Sequence, residues 1–270
     1  MPLLRVGVVL FENAPEELGL LARSIDASVC PPGLRVELAL LDNSPGRTLE
    51  DAVHRLFPGA DYRHTGDNRG FGATHNAGMR QAFRSGADGY LCLNPDSVLH
   101  PACLQALWSS AGLPSTGLVD ARTFPEEHPK PYDPETGDTP WCTGTALLVT
   151  PAAFAATGGF DEGLFMYGED VDLSWRVRAA GLRTRTAAAA LVLHWVEYRP
   201  LDRERQLRVL RSAAYLGRKW GAPGFARSYE HLHRHLGGRS AELAPVVSVP
   251  ERVRRIADLR HGVRFARSRW

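Results

Sequence analysis

Two short apolar runs in the N-terminal part of the chain each end on a carboxylate. Residues 34–41 run into Asp42-Asn43-Ser44-Pro45, and residues 89–93 stop at Asn94-Pro95-Asp96. Segments with helical spacing lie between such runs, and this alternation specifies an α/β domain with a largely parallel sheet. Open α/β sheets bind ligands in the crevice outside the carboxyl ends of their strands, so the two acidic tips point to one cleft.

A first strand is expected at residues 4–11. A helix follows, opened by Pro15 with Glu16 and Glu17 in its first turn and carrying Leu18, Leu21, Ile25 and Val29 at helical spacing. A helical stretch at 48–56 leads to a short strand near Tyr62, and 70–86 reads as a glycine-containing loop running into a helix. Residues 112–140, rich in Pro, Gly, Asp and Glu, read as a mobile excursion. The core resumes with a strand at 143–149, helices at 151–156 and 170–180, the latter closed by Gly181, and a last apolar run at 191–195. A long amphipathic helix is expected at 201–219, then a tail of uncertain order at 222–270. The chain divides into a domain of residues 1–220 and a basic extension of residues 221–270.

With 270 residues and 44% hydrophobic content the chain can bury a sizeable core, which excludes disorder throughout. No apolar stretch approaches the roughly 20 residues of a membrane span, and a soluble, cytoplasmic protein is expected. Cys30, Cys92, Cys103 and Cys142 show no C-x-x-C spacing, which fits a reduced compartment and no zinc site. Residues 1–175 hold 11 Lys and Arg against 23 Asp and Glu, whereas residues 176–270 hold 21 against 7. A solvated Arg-rich surface explains that polarity, and so does a region that meets a phosphate-rich ligand or an anionic membrane face. The arginines are not interleaved with an aromatic recognition motif, so nucleic acid is not an expected partner.

The densest chemistry is in residues 158–176, GGFDEGLFMYGEDVDLSWR, where Asp161, Glu162, Glu169, Asp170 and Asp172 stand beside Phe160, Phe165, Tyr167 and Trp175. Asp172 and Arg176 are spaced i to i+4 and can pair, which assigns Asp172 to structure. A carboxylate at the start of this helix, walled by aromatics, suits a general base. Plain N-terminal capping by acidic residues suits it equally.

These residues resemble the signature of glycosyltransferase family 2, inverting nucleotide-sugar transferases of the GT-A fold. The similarity extends in the family's order through LLDNS at 40–44, DNRGFGATHNAG at 67–78, LNPD at 93–96 and WCTGTA at 141–146, and is nearest to bacterial rhamnosyltransferase-like members. The resemblance implies a Rossmann-like, mostly parallel GT-A sheet flanked by helices, with a helical basic C-terminal extension. It implies nucleotide binding by Leu10, Phe11, Asp42, Asn68, Gly70, Phe71, Gly72, Asn76 and Asp96. Asp96 and His194 would hold Mg²⁺ or Mn²⁺, although Asn94 stands where the family's D-x-D motif has its first carboxylate. Asp170 would be the catalytic base, with Glu169 as runner-up. Trp141, Thr143, Gly144, Asp161 and Tyr167 would contact the donor sugar or the acceptor.

The expected activity is transfer of a hexose or deoxyhexose, rhamnose favoured, from a UDP- or dTDP-sugar to a hydroxyl of a glycan, glycolipid or small-molecule acceptor. Contact of Arg199, Arg203, Arg211 or Arg218 with the donor diphosphate or a lipid-diphosphate acceptor stays open beside a solvated outer face of the long amphipathic helix, as do peripheral contact with the inner face of an anionic membrane and a homodimer. A sugar-phosphate nucleotidylyltransferase would want a basic, glycine-rich first loop, and LFENAPEE is acidic. An inactive nucleotide-sugar-binding module is the third reading.

Overall fold

The computed structural model describes residues 1–194, 202–240, 243, 245–260, 262 and 267–268. Trp195, Arg199 and Leu201 of the expected elements lie outside the described residues.

The N-terminal half follows the sequence pattern. It runs β1 (Leu3–Leu10), α1 (Pro15–Asp26), β2 (Arg35–Asp42), α2 (Glu50–Leu56), β3 (Asp61–His64), α3 (Phe71–Arg84) and β4 (Gly89–Leu93). These four strands lie side by side in the order β3-β2-β1-β4, all parallel. β1 and β4 are apolar on both faces because helices cover the sheet from both sides.

The second half departs from expectation. It contains β5 (Ser97–Leu99), α4 (Cys103–Ala111), β6 (Thr116–Phe124), β7 (Glu126–Glu127), β8 (Ala146–Val149), α5 (Pro151–Thr157), α6 (Glu169–Ala179) and β9 (Arg183–His194). The supposed excursion at 112–140 therefore begins with a nine-residue strand inside the sheet, between β8 and β9. Its Gly117 lets Val177 approach to 2.5 Å of where a Cβ would stand, and its central Asp120 is neutralised by Lys130, so composition concealed a buried strand. β9 starts well before the apolar run at 191: Ala187 pairs with Ala121 of β6, residues 188–190 fall in a register shift, and pairing resumes at Leu191 with Arg122. The full order is β3-β2-β1-β4-β8-β6-β9-β5, with antiparallel pairing at β4-β8, β8-β6 and β9-β5. The expected mostly parallel sheet is thus parallel in its first half and mixed in its second.

Two cores fill the faces of the sheet, one under α1, α2 and α4 and one under α3 and α6. A third joins α6 to the C-terminal region. After residue 194 the chain forms α7 (Arg203–Lys219), α8 (Pro223–His235), a 3-10 turn at Glu251–Ile256, and β10 (Arg267–Ser268), which pairs with β7. Val246, Val249, Val253, Ile256 and Leu259 pack on Trp141, Trp175, Tyr215 and Trp220, so the described part of the tail is a cover over α6. Among the described residues no helix is long and apolar enough to cross a membrane.

Candidate active site

β4 leaves the sheet at Asn94, and β5 returns antiparallel to the end of β9, with Ser97 opposite His194. This crossing brings Asn94, Asp96 and His194 together. Asp96 Oδ1 lies 3.2 Å from His194 Nε2, and the Asn94 amide lies 3.3 Å from the same nitrogen. One imidazole nitrogen cannot donate to a carboxylate and accept from an amide at once. With the Asn94 amide turned so that its oxygen faces inward, a carboxylate, an amide oxygen and a neutral imidazole present lone pairs to one point. That donor set fits a hard divalent cation that takes its remaining ligands from phosphate oxygens and water. Among the described residues no group of three or more His, Cys, Asp and Glu could hold a metal ion.

The second half of the site is the start of α6. Gly168, at φ +83°, turns the chain so that Glu169 points inward and Asp170 stays partly exposed. Gly144 N donates to Asp170 Oδ2 and Val171 N to Oδ1, both at 2.8 Å. Burial raises the pKa of Asp170, opposed by the charge of His128 and by those two amides. Glu169 is buried with Oε2 unpartnered, and burial together with the neighbouring Asp170 raises its pKa as well. The two halves share one rim: Asn94 N donates to Thr145 O at 2.9 Å, and the adjacent Gly144 holds Asp170.

Residues that the sequence reading did not single out fix this rim. Asp120, at the middle of β6, accepts Thr143 N at 2.7 Å and Lys130 Nζ at 2.6 Å. The same ammonium donates to Trp141 O at 2.8 Å and to Thr186 Oγ1 at 2.9 Å, so its three protons are used. His128 packs edge-on against Trp141 with ring centroids 5.2 Å apart. Lys130 is one of only two lysines beside thirty arginines, and that rarity was the available signal. Trp141 Nε1 and Thr143 Oγ1 are buried without partners.

Several residues expected at the nucleotide make structural contacts. Asp42 is fully buried: Oδ2 accepts the Tyr62 hydroxyl at 2.7 Å and Oδ1 accepts Ser44 N at 2.8 Å. Leu10 belongs to the core, which leaves Phe11, 43% exposed, as the ring able to cover a base. Asn68 is exposed and folds its Oδ1 onto Gly70 N at 3.1 Å. Gly70, at φ +82°, has the Phe165 carbonyl oxygen 2.4 Å from its Cβ position, and Gly72 has Phe160 Cβ at 2.9 Å. Phe71 N donates to the same carbonyl at 3.3 Å. Asn76 is buried, accepting Phe160 N at 2.8 Å and donating to Phe160 O at 2.9 Å. The glycine loop and Asn76 therefore clamp the segment leading to Asp170.

That segment is braced by α7 from the other side. Asp161 accepts the Tyr215 hydroxyl at 2.9 Å and Lys219 Nζ, and Lys219 also reaches Asp172 at 2.8 Å. Asp172 further accepts Trp220 Nε1 at 3.0 Å and Arg176 Nε at 2.7 Å, completing the expected i to i+4 pair. Asp161 is engaged in this cluster. Tyr167, at φ +73°, stays half-buried beside α7. Of the arginines considered above, Arg203 caps the end of α8 and Arg218 lies 3.5 Å from Glu230.

No family model matches the chain. In sequence it is 29% identical to an N-acetylglucosaminyl-diphospho-decaprenol L-rhamnosyltransferase of Mycobacterium tuberculosis, over 59% of this chain and 66% of that one. The chain thus spans just under two thirds of that relative's length. A shorter match, 40% identical over 22% of each chain, is to rhamnosyltransferase WbbL of Escherichia coli. Solved structures that resemble it are a mannosyltransferase from Pyrobaculum calidifontis with GDP-Man and Mn²⁺ (TM-score 0.61, 14% identity, 88% of this chain and 76% of that one) and GalNAc-T7 with UDP, GalNAc and Mn²⁺ (TM-score 0.64, 11% identity, 87% and 55%). The fold is that of a GT-A glycosyltransferase. Within that class the similarity is to the rhamnosyltransferase-like members of family 2, as the motifs implied.

Proposed function

We propose that this chain is an inverting, metal-dependent glycosyltransferase moving a hexose or deoxyhexose, rhamnose first among them, from a UDP- or dTDP-sugar to a hydroxyl acceptor. The observation that carries the reading is the shared rim, on which Asp96 and His194 converge at one end and Asp170 stands at the other, joined through Thr145 and Gly144. The rhamnosyltransferase names of the relatives support the sugar, and the Mn²⁺ complexes of the structural neighbours support the metal.

Asp96 and His194, with Asn94, would hold the cation, which supplies positive charge against a departing diphosphate. Asp170 takes the proton of the acceptor hydroxyl as the oxygen attacks, a contribution of about 10²–10⁴ in rate for a well-placed base. Its two backbone N–H bonds aim the carboxylate and keep it ionised, while its raised pKa strengthens it as a base. Buried Glu169, unpartnered at Oε2, favours its neutral form, which spares Asp170 a second charge beside it. Phe11 would cover the base, and Trp141, Thr143 and Gly144 would border the sugar. The name of the mycobacterial relative supports an acceptor sugar attached to a lipid diphosphate.

The test is a screen of nucleotide sugars for thermal stabilisation with and without Mn²⁺, followed by transfer assays. The reading expects one UDP- or dTDP-sugar to raise Tm in a Mn²⁺-dependent way, and Asp170→Asn to abolish transfer while keeping that shift. Full activity in Asp170→Asn refutes the base, and no stabilisation by any nucleotide sugar refutes the reading as a whole.

A further inference from the structure

Residues 142–144 lead into β8 but lie outside the sheet. Their three successive N–H groups donate to side chains from elsewhere in the fold: Cys142 N to Ser174 Oγ at 3.0 Å, Thr143 N to Asp120 Oδ2 at 2.7 Å, and Gly144 N to Asp170 Oδ2 at 2.8 Å. Asp120 and its partner Lys130 belong to the rim described above, and Asp170 stands as the base. Ser174 is the member with no part yet. It is fully buried, one helical turn beyond Asp170 on α6, and its hydroxyl donates to Asp170 O at 2.7 Å.

A serine inside a helix often gives its hydroxyl proton to the carbonyl four residues back, and that bond alone is a local matter. Here it also fixes the rotation of the hydroxyl, which leaves a lone pair for the Cys142 amide. One oxygen thereby joins the first turn of α6, which carries the base, to the segment whose Gly144 amide aims it. The Asp170 carboxylate is held by one N–H at each oxygen, Val171 at Oδ1 and Gly144 at Oδ2. Val171 belongs to α6 itself, so it is Gly144 that refers the plane of the carboxylate to the rest of the rim. That reference holds only while residues 142–144 keep their place against α6, and the Cys142–Ser174 bond is a tie between the two.

We propose that Ser174 is a positioning residue for the base: by holding the Cys142 amide it keeps the Gly144 N–H on Asp170 Oδ2 and so fixes the direction in which the carboxylate meets the acceptor hydroxyl. This rests on the transferase reading above. Ser174 is fully buried and acts only through Asp170 and the 142–144 segment. The charged and titratable groups around these residues are Glu169 beside Asp170, His128 whose charge acts on Asp170, and the Asp120–Lys130 pair at Thr143. Removing the Ser174 hydroxyl deletes none of them.

The test is the pH profile of transfer by Ser174→Ala. Its kcat is expected to fall about tenfold to a hundredfold, the loss that follows when a reacting group is misplaced, while KM for the nucleotide sugar stays within about twofold because Asp96 and His194 are untouched. The acid limb of kcat/KM is expected to move up by about one pH unit, since a loosened Gly144 N–H no longer favours the ionised carboxylate. Ser174→Cys keeps the volume with only a weak donor and acceptor, and is expected to show the same shift. Leu104→Ala, in the core under α4, is the stability control: it lowers Tm and leaves the limb in place. Unchanged kcat and acid limb in Ser174→Ala overturn the proposal and leave the transferase reading intact, and so does a fall in kcat with an unmoved limb. Wild-type behaviour in Ser174→Cys also overturns it, by assigning the effect to volume. If the variants do not fold, or the wild type transfers no sugar and the transferase reading itself fails, amide hydrogen exchange of the wild-type chain decides. Slow exchange of Cys142 and Gly144 together supports the tie, and rapid exchange of the Cys142 amide refutes it.

Discussion

Replacing Lys130 by Met separates the charge of this residue from its volume. The side chains of Lys130 and Asp120 are 5% and 0% exposed, and the ammonium supplies the hydrogen bonds of Asp120 Oδ2, Trp141 O and Thr186 Oγ1. Met fills the same space without a donor, leaving a buried carboxylate whose only remaining donor among these is Thr143 N at 2.7 Å. Breaking a buried pair by removing one partner costs about 3–5 kcal/mol. With an unfolding entropy of about 2.1 cal/mol/K per residue, that loss lowers Tm by about 5–9 °C for a chain of this length. The double variant Asp120→Asn/Lys130→Met removes both charges and recovers most of the loss, because the penalty is the orphaned carboxylate. Thermal and urea unfolding of wild type, both single variants and the double variant give the coupling energy as a cycle. A Tm change under about 2 °C in Lys130→Met, which is near 1 kcal/mol by the same conversion, or a double variant no better than the single one, refutes the reasoning.

Three further outcomes are expected. Glu169 has its pKa pushed from its ordinary value up to about 8, so between about pH 4.5 and 8 the folded chain holds a proton that the unfolded chain has released. Stability therefore falls as pH rises through that window, and Glu169→Gln flattens the decline; parallel Tm-against-pH curves for the two proteins would contradict this. Gly70→Ala puts a methyl 2.4 Å from the Phe165 carbonyl oxygen at φ +82°, and a loss of about 1–3 kcal/mol is expected in urea unfolding. Asp96→Ala and His194→Ala weaken the Mn²⁺-dependent part of nucleotide binding in calorimetry while leaving metal-free Tm near wild type; unchanged Mn²⁺ dependence would remove these residues from the metal site.

The first four strands were legible because each is a short apolar run bounded by turn residues and backed by a helix of clear spacing. Strand β6 was not, because its Asp120 and Arg122 are paired with Lys130 and Glu127 inside the same polar stretch, and a count of polar residues cannot see neutralisation. The alanines of β9 were equally silent: pairing with β6 on either side of them, at Thr186 and Ala187 and again at Leu191, overrides their helical preference. The acidic start of α6 and the Asn94–Asp96 tip stood out as motifs. What the motifs could not convey was the direction of each side chain. Leu10, Asp42 and Asn76 occupy motif positions yet are buried, and Asp161 is tied to Tyr215 and Lys219 of α7.

The placement of β6 also sets an order of assembly. β1 to β4 can close into a four-stranded sheet once residue 93 has been synthesised, since each strand finds a neighbour already made. β6 has no such neighbour at its birth: Leu118 pairs with Val149 on one side and with Thr184 on the other. Residues 116–124 must therefore wait as an unpaired edge until the later strands emerge, and a ribosome stalled in that interval should present them to proteases and chaperones.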